Sequence, residues 1–349
     1  MKRVVVRVIG DDTVEVDGGR HRGRVFIPES ELGLITGWVL KPEGLCRDDA
    51  CVLVPGRAKR CHIDPAVRPQ HGAAVGQPVA VEAAAGLAVI GHPAAERAES
   101  LSSLTAPDVR LPTVAGSTAG VYDFTGSKRL VVVFASWCGC RHDLPTWQTL
   151  QDRFGDNNFC VLAVAVDESV DVVQPWVDEA KATYPVLVDA DRTFVDAYGI
   201  RNVPTVIWID EDDRIVRPNS PEFGDDQFVE FHGRPSGPHL EALERWIVDG
   251  EKPYASDAAV RADQLMPDED QQLARVEYRL ALELWRIGEK DLAERHFVRA
   301  GALAPYDFTI RRGSMPLRGQ DPFGEPFFEL YREWDAAGRP YYTEPAENQ

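Results

Sequence analysis

Residues 130–150 read LVVVFASWCGCRHDLPTWQTL, and this stretch determines the fold predicted for the centre of the chain. The run from Leu130 to Phe134 is apolar throughout, which predicts a buried strand. Cys138 and Cys140 follow in a short turn, and the next residues have the apolar spacing of a helix. This order places the first sulfur at a helix N-terminus, in an exposed turn. There the free N–H groups and the helix dipole lower the pKa of a thiol.

The motif WCGCR at 137–141, followed by Leu144-Pro145, resembles the Trp-Cys-x-x-Cys active site of the thioredoxin superfamily. The resemblance is to the TlpA/ResA-like and AhpC/TSA-like branch, but one residue is missing and the spacing is Cys-x-Cys. It extends to a ResA-like bacterial group in which some members carry selenocysteine at the position of Cys138. Chance proximity of the two cysteines is the alternative, and the strand–turn–helix context argues against it.

The resemblance implies a thiol–disulfide oxidoreductase without a cofactor. Cys138 is then the nucleophile, flanked by Trp137, and Cys140 is the candidate resolving cysteine. Arg141 helps to hold the thiolate, and Gly139 lies where substrate binds.

Val203-Pro204 precedes a predicted strand at 205–210. A proline at this place removes a donor from the sheet, and base rates favour a trans bond. In the thioredoxin superfamily the corresponding position carries a cis-proline beside the cysteines. The resemblance therefore implies a cis bond at Pro204, which leaves the Val203 backbone open to pair with a bound peptide or disulfide substrate.

The Cys-x-Cys spacing closes a tighter ring than Cys-x-x-Cys. Disulfide geometry is specific, and deviations from it store strain that makes the bond more reducible. We expect either a couple more oxidising than that of a typical thioredoxin or no bond between Cys138 and Cys140. In the second case, Cys46 or Cys51 is the candidate to resolve Cys138.

The fold class is predicted as α/β, in three domains. Residues 1–105 form a small α+β domain, in which 31–40 is either a helix or a strand. Residues 106–252 form a domain in which strands and helices alternate, which predicts a parallel sheet covered on both faces, and the resemblance implies that its fold is thioredoxin-like. Residues 253–349 form an α-helical region in which 274–307 fits the tetratricopeptide pattern. One repeat cannot bury its own faces, so it either packs on the rest of the chain or binds a peptide; an aromatic tail follows it.

Cys46, Cys51, Cys61 and His62 leave three interpretations open. They form a Cys₃His zinc site, although their spacing fits none of the common ligand pairs. Alternatively, Cys46 and Cys51 are a redox pair that faces the central site. In the third interpretation the cysteines are ordinary small apolar residues.

The loop at 217–238 is longer than the corresponding loop of thioredoxins and contains His232. It either caps the cysteines, in which case His232 assists proton transfer near pH 7, or serves only packing.

Two other functions remain alternatives. One is a thiol-dependent peroxidase of the peroxiredoxin type, but Ala135 stands where those enzymes place the threonine that orients the peroxide. The other is a non-enzymatic protein-interaction or metal-handling protein, based on the helical repeat and the Cys46 group.

The 349 residues carry a net charge of −18, which argues against nucleic acid or an anionic membrane as partner. No apolar stretch approaches the roughly 20 residues that cross a bilayer, and the N-terminus resembles a strand and not a signal peptide. We expect a cytoplasmic protein, where close cysteine pairs are more often catalytic or metal-binding than structural. The expected partners are a disulfide-containing protein or a small thiol or peroxide, together with an electron-donor thiol system.

Overall fold

The computed structural model describes residues 2–10, 13–21, 24–47, 50–52, 62–63 and 76–340. The chain divides into two compact units, Met1–Arg97 with Pro267–Pro305, and Ala98–Met266 with Tyr306–Gln349. The region predicted as one helical domain from residue 253 is thus shared between the two units. Compactness does not show which segments fold independently, so the boundaries 1–105, 106–252 and 253–349 stay predictions.

The first unit contains a six-stranded sheet and a three-stranded one. The six strands are Lys2–Ile9 (β1), Thr13–His21 (β2), Arg24–Phe26 (β3), His62–Ile63 (β7), Val79–Glu82 (β8) and Leu87–Ile90 (β9), in the order β7-β3-β2-β1-β9-β8. The smaller sheet joins Val39–Lys41 (β4), Gly44–Arg47 (β5) and Ala50–Val52 (β6). The predicted pairing of β1 with β2 is confirmed, in antiparallel register. The ambiguous segment 31–40 contains both a helix, Leu32–Thr36 (α1), and the start of β4.

Two antiparallel helices complete the first unit, at Glu269–Arg286 (α9) and Lys290–Leu303 (α10). A reciprocal capping box between Asp268 and Gln271 begins α9. Gly288 turns the chain between the helices at a φ of 86°, which suits a residue without a Cβ. Small and aromatic residues fill the crossing: Ala281, Ala293, Phe297 and Ala300 are all buried. The helix pair predicted at 274–307 is present, and its assignment as a tetratricopeptide repeat stays a prediction.

The second unit is built around a five-stranded sheet. Its strands are Lys128–Phe134 (β12), Phe159–Ala165 (β13), Val186–Val188 (β14), Thr205–Ile209 (β15) and Ile215–Ser220 (β16), in the order β14-β13-β12-β15-β16. The three strands β12, β13 and β14 are parallel, as predicted. Strand β15 pairs with β12 in antiparallel orientation, and a tight hairpin joins β15 to the antiparallel edge strand β16. Two short strands, Leu111–Pro112 (β10) and Thr118–Ala119 (β11), pair beside this sheet.

Helices cover the sheet of the second unit. They are Leu144–Phe154 (α3), Val170–Ala180 (α4), Thr193–Ala197 (α5), Val229–His232 (α6), Gly237–Asp249 (α7) and Asp257–Asp263 (α8). Helix α2, at Ala94–Ser103, includes the point where the chain passes from one unit to the other. Strand β13 is a continuous apolar run, and β12 is apolar from Leu130 to Phe134, as expected of strands buried on both faces. None of the described helices is long and apolar enough to span a bilayer.

The segment from Tyr306 onward belongs to the second unit and is here called the C-terminal segment. It contains Phe308–Arg311 (α11) and Glu325–Ala336 (α12). Its own apolar cluster consists of Phe308, Met315, Phe327, Leu330 and Trp334. A hydrogen bond of 2.8 Å from the Phe308 N–H to the Arg201 carbonyl joins it to the loop before β15. The C-terminal segment is therefore part of the same folded unit as the cysteine motif; the tail residues Tyr341 and Tyr342 lie outside the described residues.

Candidate active site

The cysteine motif occupies the turn that leaves the central strand β12. A short 3₁₀ helix, Gly139–Asp143, follows Cys138, and the α-helix predicted to begin at about residue 141 begins only at Leu144. Pro145 lies in the first turn of that α-helix, where its missing N–H costs nothing. Cys138 caps the 3₁₀ helix, because its Sγ accepts a hydrogen bond of 3.4 Å from the Cys140 N–H. The sulfur thus lies at a helix N-terminus, as predicted, but at that of the 3₁₀ helix.

Cys138 is buried, with only 4% of its surface exposed, so the prediction of an exposed turn is wrong. Two distant segments cover it. An added Cβ on Gly139 would lie 3.0 Å from Cε2 of Phe228, so this aromatic ring lies against the motif. An added Cβ on Gly313 would lie 3.3 Å from the ring of Trp137, so the C-terminal segment packs there as well.

The Cys138 thiol lies beside the backbone that precedes Pro204. Its Sγ donates to the Val203 carbonyl oxygen at 3.5 Å. The Val203–Pro204 peptide bond is cis, which confirms that prediction. The structure thus brings together Cys138, Val203 and Pro204, three of the residues selected from the sequence.

The two thiols of the motif are free and have opposite electrostatic character. Burial opposes ionisation of Cys138, but the hydrogen bond from Cys140 and the charges of Arg312 and Arg141 outweigh it and lower the pKa of Cys138 to about 7. Burial and the neighbouring Cys138 raise the pKa of Cys140 well above its ordinary value. A single thiolate near neutral pH therefore resides on Cys138, the sulfur suited to attack.

Buried polar contacts hold the turn in place. Asp167, at the end of β13, accepts hydrogen bonds from Ser136 N–H at 3.0 Å and from Ser136 Oγ at 2.6 Å. The Trp137 indole N–H donates to the Val166 carbonyl at 3.1 Å. Burial raises the pKa of Asp167 to about 6, although the Ser136 hydrogen bonds oppose the shift. Trp137 thus anchors the motif to the neighbouring strand.

Arg141 donates a hydrogen bond from Nη1 to the Ser136 carbonyl, which folds its side chain back over the turn. Its guanidinium carbon lies 4.0 Å from the ring centre of Trp176 and 4.8 Å from that of Phe323. Because its charge lowers the pKa of Cys138, the geometry is consistent with the predicted role of holding the thiolate.

Asp143 is a site residue that the sequence reasoning missed. It is buried, and its Oδ2 atom has no hydrogen-bond partner among the described residues. Burial raises the pKa of Asp143 to about 8; the N–H groups of Gly224 and Asp225 oppose this, while Cys138 adds to it. The available signal was its position three residues after Cys140, which places both side chains on one side of a helical turn.

His232 contacts its own loop. Its ring stacks on Phe223 with 3.5 Å between centroids, and its Nδ1 accepts a hydrogen bond of 3.1 Å from the Arg234 N–H. Burial, followed by the charge of Arg234, lowers the pKa of His232. The loop at 217–238 does cover the motif, but through Phe228; a role of His232 in proton transfer stays a prediction.

Cys46 and Cys51 form a disulfide between the paired strands β5 and β6 of the first unit. Cys46 is buried and Cys51 is exposed. Their oxidised sulfurs are not the thiolates that a zinc ion binds, and Cys61 lies outside the described residues. His62 is described only as part of β7. The bond supports the redox-pair interpretation over the zinc site, and a role in resolving Cys138 stays a prediction.

A free dithiol after a central strand, with its first sulfur beside a cis-proline, is the arrangement of the thioredoxin superfamily. Comparison with known proteins agrees: residues 103–217 match the AhpC/TSA family. These findings support an oxidoreductase enzyme with a thioredoxin-like domain of the ResA-like branch.

The individual relatives are similar over part of the chain. Thioredoxin-like protein YneN of Bacillus subtilis is 32% identical over 110 residues, which are 30% of this chain and 64% of YneN. Thiol-disulfide oxidoreductase ResA of Halalkalibacterium halodurans is 25% identical over 138 residues, 39% of this chain and 78% of that protein. The crystal structure of a thiol:disulfide interchange protein of the thioredoxin family from Chlorobium tepidum is 23% identical, covers 34% of this chain and 88% of its own, and has a TM-score of 0.31. The chain therefore spans just under two thirds of YneN.

Proposed function

We propose that this chain catalyses thiol–disulfide exchange, with Cys138 as the attacking thiolate and Cys140 as the resolving thiol. The observation that carries the proposal is the position of the Cys138 sulfur, 3.5 Å from the Val203 carbonyl and directly before cis-Pro204. A substrate disulfide that pairs with the Val203 backbone has one sulfur within reach of Cys138. The relatives named as thiol-disulfide oxidoreductases support the same reaction.

The exchange takes place in two steps. The Cys138 thiolate attacks one sulfur of a substrate disulfide, forms a mixed disulfide and releases the first substrate thiolate, which takes up a proton. Cys140 then loses its proton and attacks Cys138 Sγ, forming the Cys138–Cys140 disulfide and releasing the second substrate thiol. Two protons and two electrons pass to the substrate, and an electron-donor thiol system restores the dithiol.

Asp143 is suited to accept the Cys140 proton. A carboxyl with a pKa of about 8 is populated in both protonation states between neutral pH and pH 8, so it can exchange protons in either direction. The Cys140 thiol needs such a base, because burial and Cys138 raise its own pKa. The Cys140 thiol is hardest to ionise while Cys138 is a thiolate beside it. Formation of the mixed disulfide removes that negative charge.

We expect the substrate class to be a disulfide in an extended protein segment or in a small molecule, and we propose the reducing cytoplasm as the compartment. In such a compartment a persistent Cys46–Cys51 bond suits a redox role more than a structural one.

The test is to mix the reduced protein with a model disulfide and map the cysteines by mass spectrometry. Wild-type protein is expected to form a Cys138–Cys140 bridge. The Cys140→Ser variant is expected to accumulate a mixed disulfide on Cys138, and Cys138→Ser is expected to reduce no substrate. A Cys138→Ser variant that still reduces the disulfide at the wild-type rate contradicts the assignment.

A thiol peroxidase is the second candidate, favoured by the AhpC/TSA match at residues 103–217. In that reaction the Cys138 thiolate attacks a peroxide oxygen and becomes a sulfenic acid, and a second thiol displaces water to form a disulfide. Rapid consumption of hydrogen peroxide by the reduced protein, coupled to a thiol donor, would favour the peroxidase over thiol–disulfide exchange as the main activity.

The outer parts of the chain add two narrower proposals. The first is that the α9–α10 pair is a tetratricopeptide-like element used for packing. The second is that the chain belongs with a ResA-like group in which some members carry selenocysteine at the position of Cys138. A more acidic and more nucleophilic atom suits the attacking position. The alternative of a non-enzymatic protein-interaction or metal-handling protein is tested by metal analysis of the purified protein. That alternative requires about one equivalent of zinc or copper.

A further inference from the structure

We propose that Arg141 and Arg312 form an anion-recognition pair beside Cys138, and that the favoured substrate is a small thiol or disulfide bearing carboxylate groups. This inference rests on the proposed function and narrows its substrate class. Arg141 comes from the cysteine motif, whereas Arg312 comes from the C-terminal segment, outside the residues that match the AhpC/TSA family.

Aromatic rings contact both guanidinium groups. Phe323 contacts both, with its ring centre 4.8 Å from the guanidinium carbon of Arg141 and 5.3 Å from that of Arg312. Trp176 flanks Arg141 at 4.0 Å, and Phe327 flanks Arg312 at 3.8 Å. Such contacts orient a guanidinium group while leaving its N–H edge open for an anion.

Arg312 also reaches the cysteine motif. Its guanidinium carbon lies 5.9 Å from the ring centre of Trp137, the residue before Cys138. Its charge and that of Arg141 both lower the pKa of Cys138, so both act on this sulfur.

Neither arginine has a carboxylate partner among the described residues. Arg312 donates from Nε to the Pro322 carbonyl at 3.0 Å, and Arg141 donates to the Ser136 carbonyl. Arg312 is only 7% exposed. Buried charges are normally paired, and this chain has a large excess of acidic residues from which a partner was available. The lack of a protein carboxylate beside Arg141 and Arg312 is therefore a feature of this site.

The charge count changes during the reaction. In the reduced protein, the Cys138 thiolate supplies one negative charge against two positive ones. In a mixed disulfide Cys138 is neutral, and the two cations face no protein anion from the described part of the chain. A carboxylate on the substrate supplies the missing charge at that stage, through the charge-assisted and often bidentate contacts that arginine makes.

Enclosure of the sulfur favours a small molecule over the surface of a folded protein. Cys138 is buried, Phe228 lies against Gly139, and Gly313 lies against Trp137. A small disulfide needs less displacement of these groups than a folded protein does.

The first experiment measures alkylation of Cys138 in the full reduced chain with iodoacetate, an anion, and iodoacetamide, its neutral counterpart. We expect the ratio of the iodoacetate rate to the iodoacetamide rate to be higher for Cys138 than for a free thiol. Arg312→Gln should reduce this ratio about tenfold, equivalent to ~1.4 kcal/mol. Arg312→Lys is expected to restore part of it. The matched control is Arg332→Gln, since Arg332 is exposed on the same segment and pairs with Glu325. An unchanged iodoacetate-to-iodoacetamide ratio in Arg312→Gln overturns the proposal.

A second experiment measures reduction of glutathione disulfide, hydroxyethyl disulfide and cystamine, which are anionic, neutral and cationic. Arg312→Gln is expected to raise KM for the anionic disulfide about tenfold, with little change for the neutral one. An equal loss for all three means that Arg312 acts only on the thiolate, and anion recognition is then wrong. If no disulfide is reduced while the alkylation preference persists, the proposed function fails and the anion site stands. Thermal unfolding of each variant confirms that it is folded.

Discussion

The Sγ atom of Cys138 lies 3.5 Å from the carbonyl oxygen of Val203, the residue joined to Pro204 by a cis bond. The carbonyl accepts from the thiol, so this contact is present in the protonated form and is lost on ionisation. The N–H of Cys140 and the two arginines act in the opposite sense and favour the thiolate. Cys138 is thus balanced between two protonation states near neutral pH, while the Val203 backbone, on which we propose that the substrate pairs, lies directly beside it.

The first prediction concerns the ionisation of Cys138. The rate of alkylation by iodoacetamide should rise with pH through a midpoint near 7, since the pKa of Cys138 is lowered to about that value. Cys140→Ala should move the midpoint upward, because it removes the hydrogen bond from the Cys140 thiol. The measurement is the pH–rate profile, with the modified residue identified by mass spectrometry. A midpoint near the ordinary thiol value in wild-type protein contradicts this account.

The second prediction concerns Asp143. Its pKa is about 8 in the folded protein and near 3.8 when unfolded, so between these values the folded state binds one more proton. The free energy of unfolding should therefore fall by about 1.4 kcal/mol per pH unit across that window from this group alone. Asp143→Asn lacks this contribution, so its stability relative to wild type should increase from pH 5 to pH 8 and level off above. Urea unfolding at several pH values measures the difference.

Exchange kinetics provide the functional check on the same variant. Asp143→Asn should slow the resolving step by about a hundredfold, the lower range of general-base effects, while alkylation of Cys138 remains fast. Equal slowing of both reactions would indicate disturbed folding of the turn and not the loss of a proton acceptor. The control is Asp225→Asn, whose carboxyl belongs to the covering loop and contributes a charge to Asp143.

The parts of the site that are local in sequence were predictable. The apolar run of β12 and the turn after it depend on a few neighbouring residues, so periodicity predicted the strand and the turn that carries Cys138. The resemblance to the thioredoxin superfamily, and not the local pattern, pointed to Val203 and the cis bond at Pro204. The α-helix begins later than the apolar spacing predicts, because Pro145 favours the first helical turn and the residues before it form the 3₁₀ helix.

The covering of the site was not predictable. Phe228 and Arg312 reach the motif from segments far along the chain, and neither segment has a repeating pattern that indicates its contact. The mistaken expectation of an exposed Cys138 follows directly from this. The length of the loop at 217–238 predicts a cap and its composition points to His232, whereas the contact with the motif is made by the apolar ring of Phe228.

The third prediction tests the cover itself. Phe228→Ala should raise the rate of Cys138 alkylation about tenfold, because it removes the ring that lies against Gly139. Little stability should be lost, since the Phe228 side chain is already partly exposed. Phe328→Ala is the matched control, because Phe328 is similarly exposed on α12 and contacts Phe231. Alkylation that accelerates equally in both variants would point to general loosening of the unit.

The fourth prediction concerns the disulfide of the first unit. Because Cys51 is exposed and Cys46 is buried, a small thiol reductant should attack the Cys51 sulfur, and Cys51 should carry the resulting mixed disulfide. Mass spectrometry after partial reduction and rapid alkylation identifies that sulfur.

Removal of the same disulfide tests which cysteine resolves Cys138. In a Cys46→Ser and Cys51→Ser double variant, disulfide exchange at Cys138 should continue at the wild-type rate, because Cys140 is the neighbour that hydrogen-bonds to its sulfur. The Cys140→Ser variant with Cys46 and Cys51 intact is the complementary case and should stop at the mixed disulfide. If the double variant stops there and Cys140→Ser turns over, the Cys46–Cys51 pair is the resolving partner and the tight Cys-x-Cys ring does not form.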